Sequence, residues 1–330
     1  MKNKIILSMI FGIIFLSMLS MISAWSPESH VYIGNAMFDE ANPPSIIKDC
    51  MPYRDSFLAG ELSPDISVVY YYSENGKEYR TMHNWNYANS MFQQAVTQDE
   101  LCFAYGFSSH LIQDSVSHNE VVPGAIKKTG ITNNFLHPLL EKKYGSAIAN
   151  AHPEIKNITA HALDIMSTAK GTRYIEMMQK SLGENTNLDA KNEVAKLQIA
   201  VGGNSFFESS YKPRGETLIF RAYPIINTFT NWIQPIVGSV NLPNVDFYFI
   251  KARELTENSM NNWGARYQIS PHGFDALSSA DASVKWFNWI YYLVLFLPSA
   301  LLIYYTRKWW WIFLVPVVFI LEMLIIYMII

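Results

Sequence analysis

The segment His110-Leu-Ile-Gln-Asp-Ser-Val-Ser-His118 places two histidines and an aspartate at successive four-residue steps. Each such step on an α-helix advances about one turn with roughly 40° of drift, so His110, Asp114 and His118 share a face. Two imidazoles and a carboxylate suit a borderline metal such as zinc. Other donors lie scattered through the N-terminal half: His30, Asp65, His83, His137 and Glu141. A structural zinc module would cluster cysteines, whereas this chain has only Cys50 and Cys102. Donors drawn from so many segments point to a multinuclear catalytic site.

Helices must position those donors. Thr97-Gln-Asp-Glu100 matches a capping box and predicts a helix running to about His118. On it Leu101, Ala104, Tyr105, Ser108, Leu111 and Ile112 form the expected core stripe, while Gly106, His110, Asp114 and His118 follow another line. His30 to Asn42 carries Val31, Ile33, Ala36 and Met37 at helical spacing. Further helices are expected near 138–150, 154–182, 188–208, 216–240 and 246–264. Strand alternation and hairpin turns are scarce, so the fold class is all-α. Trp25 to Ser283 is long enough for one domain with a sizeable core. Residues 266–284, with Pro271, Gly273 and several serines, read as a connector.

The chain ends carry much of the 50% hydrophobic content. Residues 5–22 are almost wholly apolar and follow Lys2 and Lys4, the charge order of a secretory signal peptide. Cleavage after Ala24 is favoured, giving a leader over 1–24; retention as an uncleaved anchor stays open. Trp286–Tyr305 and Trp309–Ile330 are apolar runs of 20 and 22 residues, each long enough to cross a bilayer. Aromatic rings flank them, and Thr306-Arg307-Lys308 between them makes a tight helical hairpin. Positive residues favour the cytoplasmic side, which puts residues 25–283 outside, the orientation that the leader also implies. Cys50 and Cys102 could pair in such an oxidising compartment, but two cysteines fix nothing, and the balance leans towards free thiols. The formal net charge is −3 with no basic patch, against a nucleic-acid surface.

Five segments, in order, resemble the zinc-dependent phospholipase C family. They are Trp25-Ser-Pro-Glu-Ser-His30, Phe57-Leu-Ala-Gly-Glu-Leu-Ser-Pro-Asp65, His83-Asn-Trp, Gly106 to His118, and His137-Pro-Leu-Leu-Glu141. Ser29-His-Val-Tyr-Ile-Gly34 and the His-x-x-x-Asp-x-x-x-His spacing look most like the catalytic domain of glycosylphosphatidylinositol-specific phospholipase D. The resemblance is good over about 25–150, general to about 280, and absent from the C-terminal runs. It implies a first zinc on Asp65, His83, His110 and Asp114, and a second on His118, His137 and Glu141. A third would use Trp25, His30 and the shared Asp114, with Trp25 binding through a free α-amino group, which makes cleavage after Ala24 part of the mechanism. Without that cleavage a two-zinc site stays open.

By resemblance, two to three zincs activate a water to hydrolyse a phosphodiester, and Asp65 both binds zinc and accepts the water proton. A membrane-anchored extracytoplasmic phospholipase C-type enzyme is therefore expected, acting on a phospholipid or lipid-linked phosphodiester at the bilayer that holds it. A surface nuclease or 3′-nucleotidase uses the same ligand set, but Glu141, where those enzymes usually carry Asp, tilts against it. A non-catalytic membrane protein with a structural metal site is a further alternative. Singly, each donor has a plainer explanation: a packed histidine, a helix-surface Asp114–His118 pair, or Asp65 capping a turn. Five segments mimicking one ligand set by chance is the weaker explanation.

Overall fold

The computed structural model describes residues 27–67, 82–121, 144–145, 147–182, 245–263, 304–306 and 308. Its helices are α1 (Pro27–Phe38), α2 (Ser45–Cys50), α3 (Arg54–Leu62), α4 (Trp85–Gln94), α5 (Gln98–Val116), α6 (Glu154–Ile165), α7 (Ala169–Leu182) and α8 (Val245–Asn261). Short 3-10 turns, Met51–Tyr53 and Pro64–Ser67, lie on either side of α3. No strand occurs among the described residues, in keeping with the all-α expectation.

Helix α5 is the axis of the fold, and its first turn is built as the sequence requires. The Thr97 hydroxyl accepts from the Glu100 amide at 3.2 Å, and the Glu100 carboxylate accepts from the Thr97 and Val96 amides at 3.2 and 2.6 Å. The capping box thus satisfies amides that a helix start leaves without partners. At its far end the α-helical ladder widens into a π turn, Ser117–Val121, which carries His118.

The expected core stripe on α5 needs correction. Leu101 and Tyr105 are only half-buried, whereas Phe103, Phe107, Ser109 and Gln113, outside that stripe, are fully buried. Helices α1, α3, α4 and α8 surround α5. A helix packed against neighbours over most of its length keeps too little solvent face for a single apolar stripe to be read.

The tightest packing is between α3 and α5, where two glycines meet opposing backbone. A Cβ on Gly106 would collide with the Phe57 carbonyl group and come within 2.7 Å of its carbon. One on Gly60 would strike the Phe103 carbonyl oxygen and lie 2.8 Å from the Phe107 nitrogen. Both distances are below van der Waals contact, so only glycine permits this separation of the helices. The close crossing brings Asp65, just past α3, beside His110 on α5.

Two sequence expectations shift at their ends. The His30–Asn42 helix begins earlier and stops at Phe38. Pro27 is preorganised for a first turn, and Pro43 and Pro44 hold the residues before them extended. The single helix expected over 154–182 is two helices, broken at Met166–Thr168. There the Thr168 hydroxyl accepts from the Gly171 amide at 3.2 Å, a local cap that competes with helix continuation. The break lets α7 dock on the start of α5. Tyr174 stacks on Phe103 with centroids 4.3 Å apart, Lys170 pairs with Asp99 at 2.8 Å, and Arg173 pairs with Glu100 at 2.7 Å.

Cys50 and Cys102 form a disulfide, overturning the leaning towards free thiols. Their Cα atoms stand 5.6 Å apart because α2 ends against the first turns of α5. The bond closes a loop spanning 52 residues, which by chain entropy stabilises the fold by about 4 kcal/mol. Cys50→Ser with Cys102→Ser is therefore expected to lower the thermal midpoint by roughly 8–16 °C, measured by calorimetry. An unchanged midpoint would show that the bond constrains nothing.

The leader 1–24, the helices near 188–208 and 216–240, most of that near 138–150, the connector 266–284 and nearly all of both C-terminal apolar runs lie outside the described residues. Among the described residues no helix is long and apolar enough to cross a membrane.

Candidate metal centre

Six of the nine donor residues fall within the described structure, and all six converge. Helix α1 supplies His30, and the turn after α3 supplies Asp65. The segment entering α4 supplies His83, α5 supplies His110 and Asp114, and the π turn supplies His118. Trp25, His137 and Glu141 lie outside the described residues. His30, His110 and Asp114 are 0% exposed, His83 is 1%, and Asp65 and His118 are 2%. Asp114 and His118 are thus no surface pair.

Asp114 is the centre of the cluster. Its Oδ1 faces His30 Nε2 at 3.5 Å. Its Oδ2 faces the Nε2 atoms of His83 at 3.4 Å, His110 at 3.2 Å and His118 at 3.7 Å. Asp65 Oδ1 stands 3.7 Å from both His83 and His110. Charge-assisted hydrogen bonds would draw such atoms to about 2.7–2.9 Å. Donors about 2.1 Å from a shared tetrahedral ion are instead about 3.4 Å from one another. The observed separations match the second arrangement.

The buried polar atoms point the same way. Both oxygens of Asp65 and of Asp114, and Nε2 of His110, have no hydrogen-bond partner among the described residues. Leaving such groups unsatisfied in an apolar interior costs several kcal/mol, which a bound cation would offset. Two overlapping donor groups lie close enough to hold an ion: His30, His110 and Asp114, and Asp65, His83 and His110, each with donor atoms within 4.8 Å. The residues present therefore fit zinc.

Electrostatics in the metal-free cluster are sharply divided. Burial alone would push His110 down, but the Asp114 and Asp65 carboxylates overcome it and raise its pKa to about 9. Burial would likewise raise Asp114, yet His110 and His118 hold it well below the usual carboxylate range. His30 is driven down to about 4 by burial and then by His110. Its ring stacks on that of His110 with centroids 3.8 Å apart and planes 17° from parallel. One neutral and one cationic imidazole can share that stack; two cations would repel.

Sequence reasoning missed the layer behind these donors. His110 Nδ1 donates to the Glu61 carbonyl at 2.6 Å, and His30 Nδ1 donates to Gln113 Oε1 at 2.8 Å. Gln113 Nε2 in turn donates to both Glu61 carboxylate oxygens at 2.9 and 3.1 Å. Burial pushes the Glu61 carboxyl up to about 8. Glu61 and Gln113 lie inside two of the five recognised motifs, and their charge and amide amid buried positions were the available signal. Glu120, which has no counterpart in the motifs, pairs at the surface with Lys251 of α8. His152 is half-buried beside Glu154 and His161 is exposed beside Asp55, both away from the cluster, and His272 lies outside the described residues.

Residues 29–183 match the sequence model of the family described as zinc dependent phospholipase C. An uncharacterized protein of Archaeoglobus fulgidus is 30% identical over 119 residues, covering 35% of this chain. The chain spans about a third of that relative's length, the match covering 32% of it. No solved structure matches. The matched segment contains all six converging donors, so over residues 29–183 the chain is similar to the zinc-dependent phospholipase C family.

Proposed function

We propose that this chain is an extracytoplasmic, membrane-anchored zinc hydrolase of phospholipids or lipid-linked phosphodiesters. The observation that carries the reading is Asp114, fully buried with four histidine nitrogens 3.2–3.7 Å from its carboxylate, inside the family-matched segment. Asp65, His83, His110 and Asp114 would hold one zinc; His30 and Asp114 would hold another with Trp25; His118 would hold the remaining one with His137 and Glu141. Zinc, when bound, polarises the phosphoryl group and brings the pKa of a coordinated water down towards about 7.

Asp65 would accept the proton of the attacking water, since its two buried oxygens leave one for zinc and one for that proton. Asp114 presents one oxygen to His30 and the other to three histidines, so it would be shared between neighbouring ions. The Cys50–Cys102 disulfide supports an oxidising compartment, and the leader and C-terminal runs support anchoring of the domain at a bilayer.

Zinc uptake must displace the His110 proton, which the metal-free chain retains to about pH 9. Raising the pH removes that competitor, so affinity is expected to rise about tenfold per unit up to that point, measured by calorimetric titration. A flat profile from pH 6 to 9 would remove His110 from the ligand set.

The function is tested by comparing turnover of a phosphatidylcholine analogue and of single-stranded DNA on the purified full chain. Chelator-sensitive lipid hydrolysis supports the phospholipase reading. Turnover of DNA alone moves the protein to the nuclease branch, and zinc content without turnover of either favours a structural metal site.

A further inference from the structure

Glu61 reaches both stacked histidines, one through its main chain and the other through its side chain. Its carbonyl takes the Nδ1 proton of His110 directly at 2.6 Å. Its carboxyl group takes the amide protons of Gln113, whose oxygen then takes the Nδ1 proton of His30 at 2.8 Å. The orientation of the Gln113 amide decides the outcome. Nε2 of Gln113 has three acceptors, the two Glu61 oxygens at 2.9 and 3.1 Å and Ser109 Oγ at 3.0 Å. With the nitrogen pinned there, Oε1 must face His30 and requires a proton on Nδ1. The His30 lone pair is then on Nε2, the atom 3.5 Å from Asp114 Oδ1. A flipped amide would direct N–H at His30, moving its proton to Nε2 and turning an N–H towards the place of the ion.

Resting on the zinc reading above, we propose that Glu61 and Gln113 are positioning residues. Together they fix His30 and His110 in the same tautomer, so that the Nε2 atoms of both are presented to Asp114. The link does not depend on the charge of Glu61, because a carboxyl group in either protonation state keeps an acceptor oxygen for the Gln113 amide. Helix α1 leaves room for it: a Cβ on Gly34 would lie 2.6 Å from Glu61 Oε1, so this position faces the carboxyl group with no side chain. Ser109, Gln113, Glu61 and His30 are all fully buried, which removes water as a substitute partner. Groups that hold the second nitrogen of a ligand histidine typically change metal affinity about 10–100-fold when removed.

The test uses the purified full chain and the variants Gln113→Met, Glu61→Met and Glu61→Gln. Zinc binding is measured by competition with a chromogenic chelator, and histidine tautomers are read by ¹H–¹⁵N NMR of the metal-free protein. In the wild type, His30 is expected as the Nδ1–H tautomer, and His110 as an imidazolium below about pH 9 that keeps its Nδ1 proton above it. Gln113→Met is expected to convert His30 to a mixture, leave His110 unchanged, and weaken one zinc about 10–100-fold. Glu61→Met should do the same, since the His110 bond uses the main chain. Glu61→Gln keeps an acceptor for Gln113 and should restore both readouts, a rescue that general loss of packing would not give.

Wild-type affinity and an unchanged His30 tautomer in Gln113→Met would overturn the inference while leaving the zinc reading standing. A wild-type chain that takes up no zinc would remove both. If the methionine variants fail to fold, Gln113→Glu decides. It keeps an acceptor for His30 but gives Glu61 no donor, so a weakened zinc supports the relay and full affinity overturns it.

Discussion

Asp114→Asn is expected to produce the largest functional loss of any single substitution in this chain. The side chain keeps its shape, but the carboxylate facing His30, His83, His110 and His118 loses its charge and half its acceptor capacity. Removing one partner of a buried ionic cluster costs about 3–5 kcal/mol, so affinity for the ions it shares should fall by roughly two to four orders of magnitude. Zinc per chain should drop to one or none, with lipid turnover at background, measured by elemental analysis and a phospholipid assay. The metal-free protein should lose stability as well, because Asp114 and Asp65 hold the His110 proton. With the His110 pKa raised to about 9, that stabilisation is fully present below the unfolded value of about 6.5 and is lost as pH rises through about 9. The stability difference from wild type should therefore be large at pH 6 and shrink by pH 10. Full zinc content and activity in Asp114→Asn would remove it from the centre of the site.

Gly106→Ala is expected to be the most damaging substitution outside the donor set. One methyl group would occupy the space of the Phe57 carbonyl group, and backbone cannot swing aside as a flexible side chain can. Overpacking of this kind costs about 1–3 kcal/mol and more where backbone must move. Here a loss of about 3 kcal/mol or more is expected, lowering the thermal midpoint by roughly 6–12 °C. The effect should reach the site too, since separating α3 from α5 moves Asp65 and the Glu61 carbonyl away from His110. Zinc affinity should fall along with stability. A neighbouring control, Ser108→Ala on the same buried helix, fills no backbone space and should cost far less. Equal losses in both variants would mean that the glycine crossing has no special role.

What could be read from the sequence follows the range of the physics involved. The start of α5 was legible because a capping box is local: Thr97 and Glu100 each bond the other's backbone. The co-facial placement of His110, Asp114 and His118 was legible because helix geometry converts spacing into direction. That His30, Asp65 and His83 join them rested on resemblance, since nothing local states that α1, the turn after α3 and the entry to α4 meet. The burial pattern of α5 was misread because a helix packed against neighbours over most of its length shows little amphipathic period. The break between α6 and α7 was missed because Thr168 looks like an ordinary helical residue until its hydroxyl is seen on the Gly171 amide. Glu61 and Gln113 were invisible as a pair, for their partnership spans α3 and α5 and depends on a crossing that Gly60 and Gly106 alone permit.

The most direct measurement is the zinc content of the purified full chain, taken together with phospholipid turnover before and after chelation. Two to three zincs per chain are expected, with hydrolysis abolished by the chelator and restored by zinc in proportion to the metal regained. A chain that holds no zinc, or one whose lipid turnover survives complete removal of the metal, would contradict the reading of the buried His–Asp cluster as a catalytic metal centre.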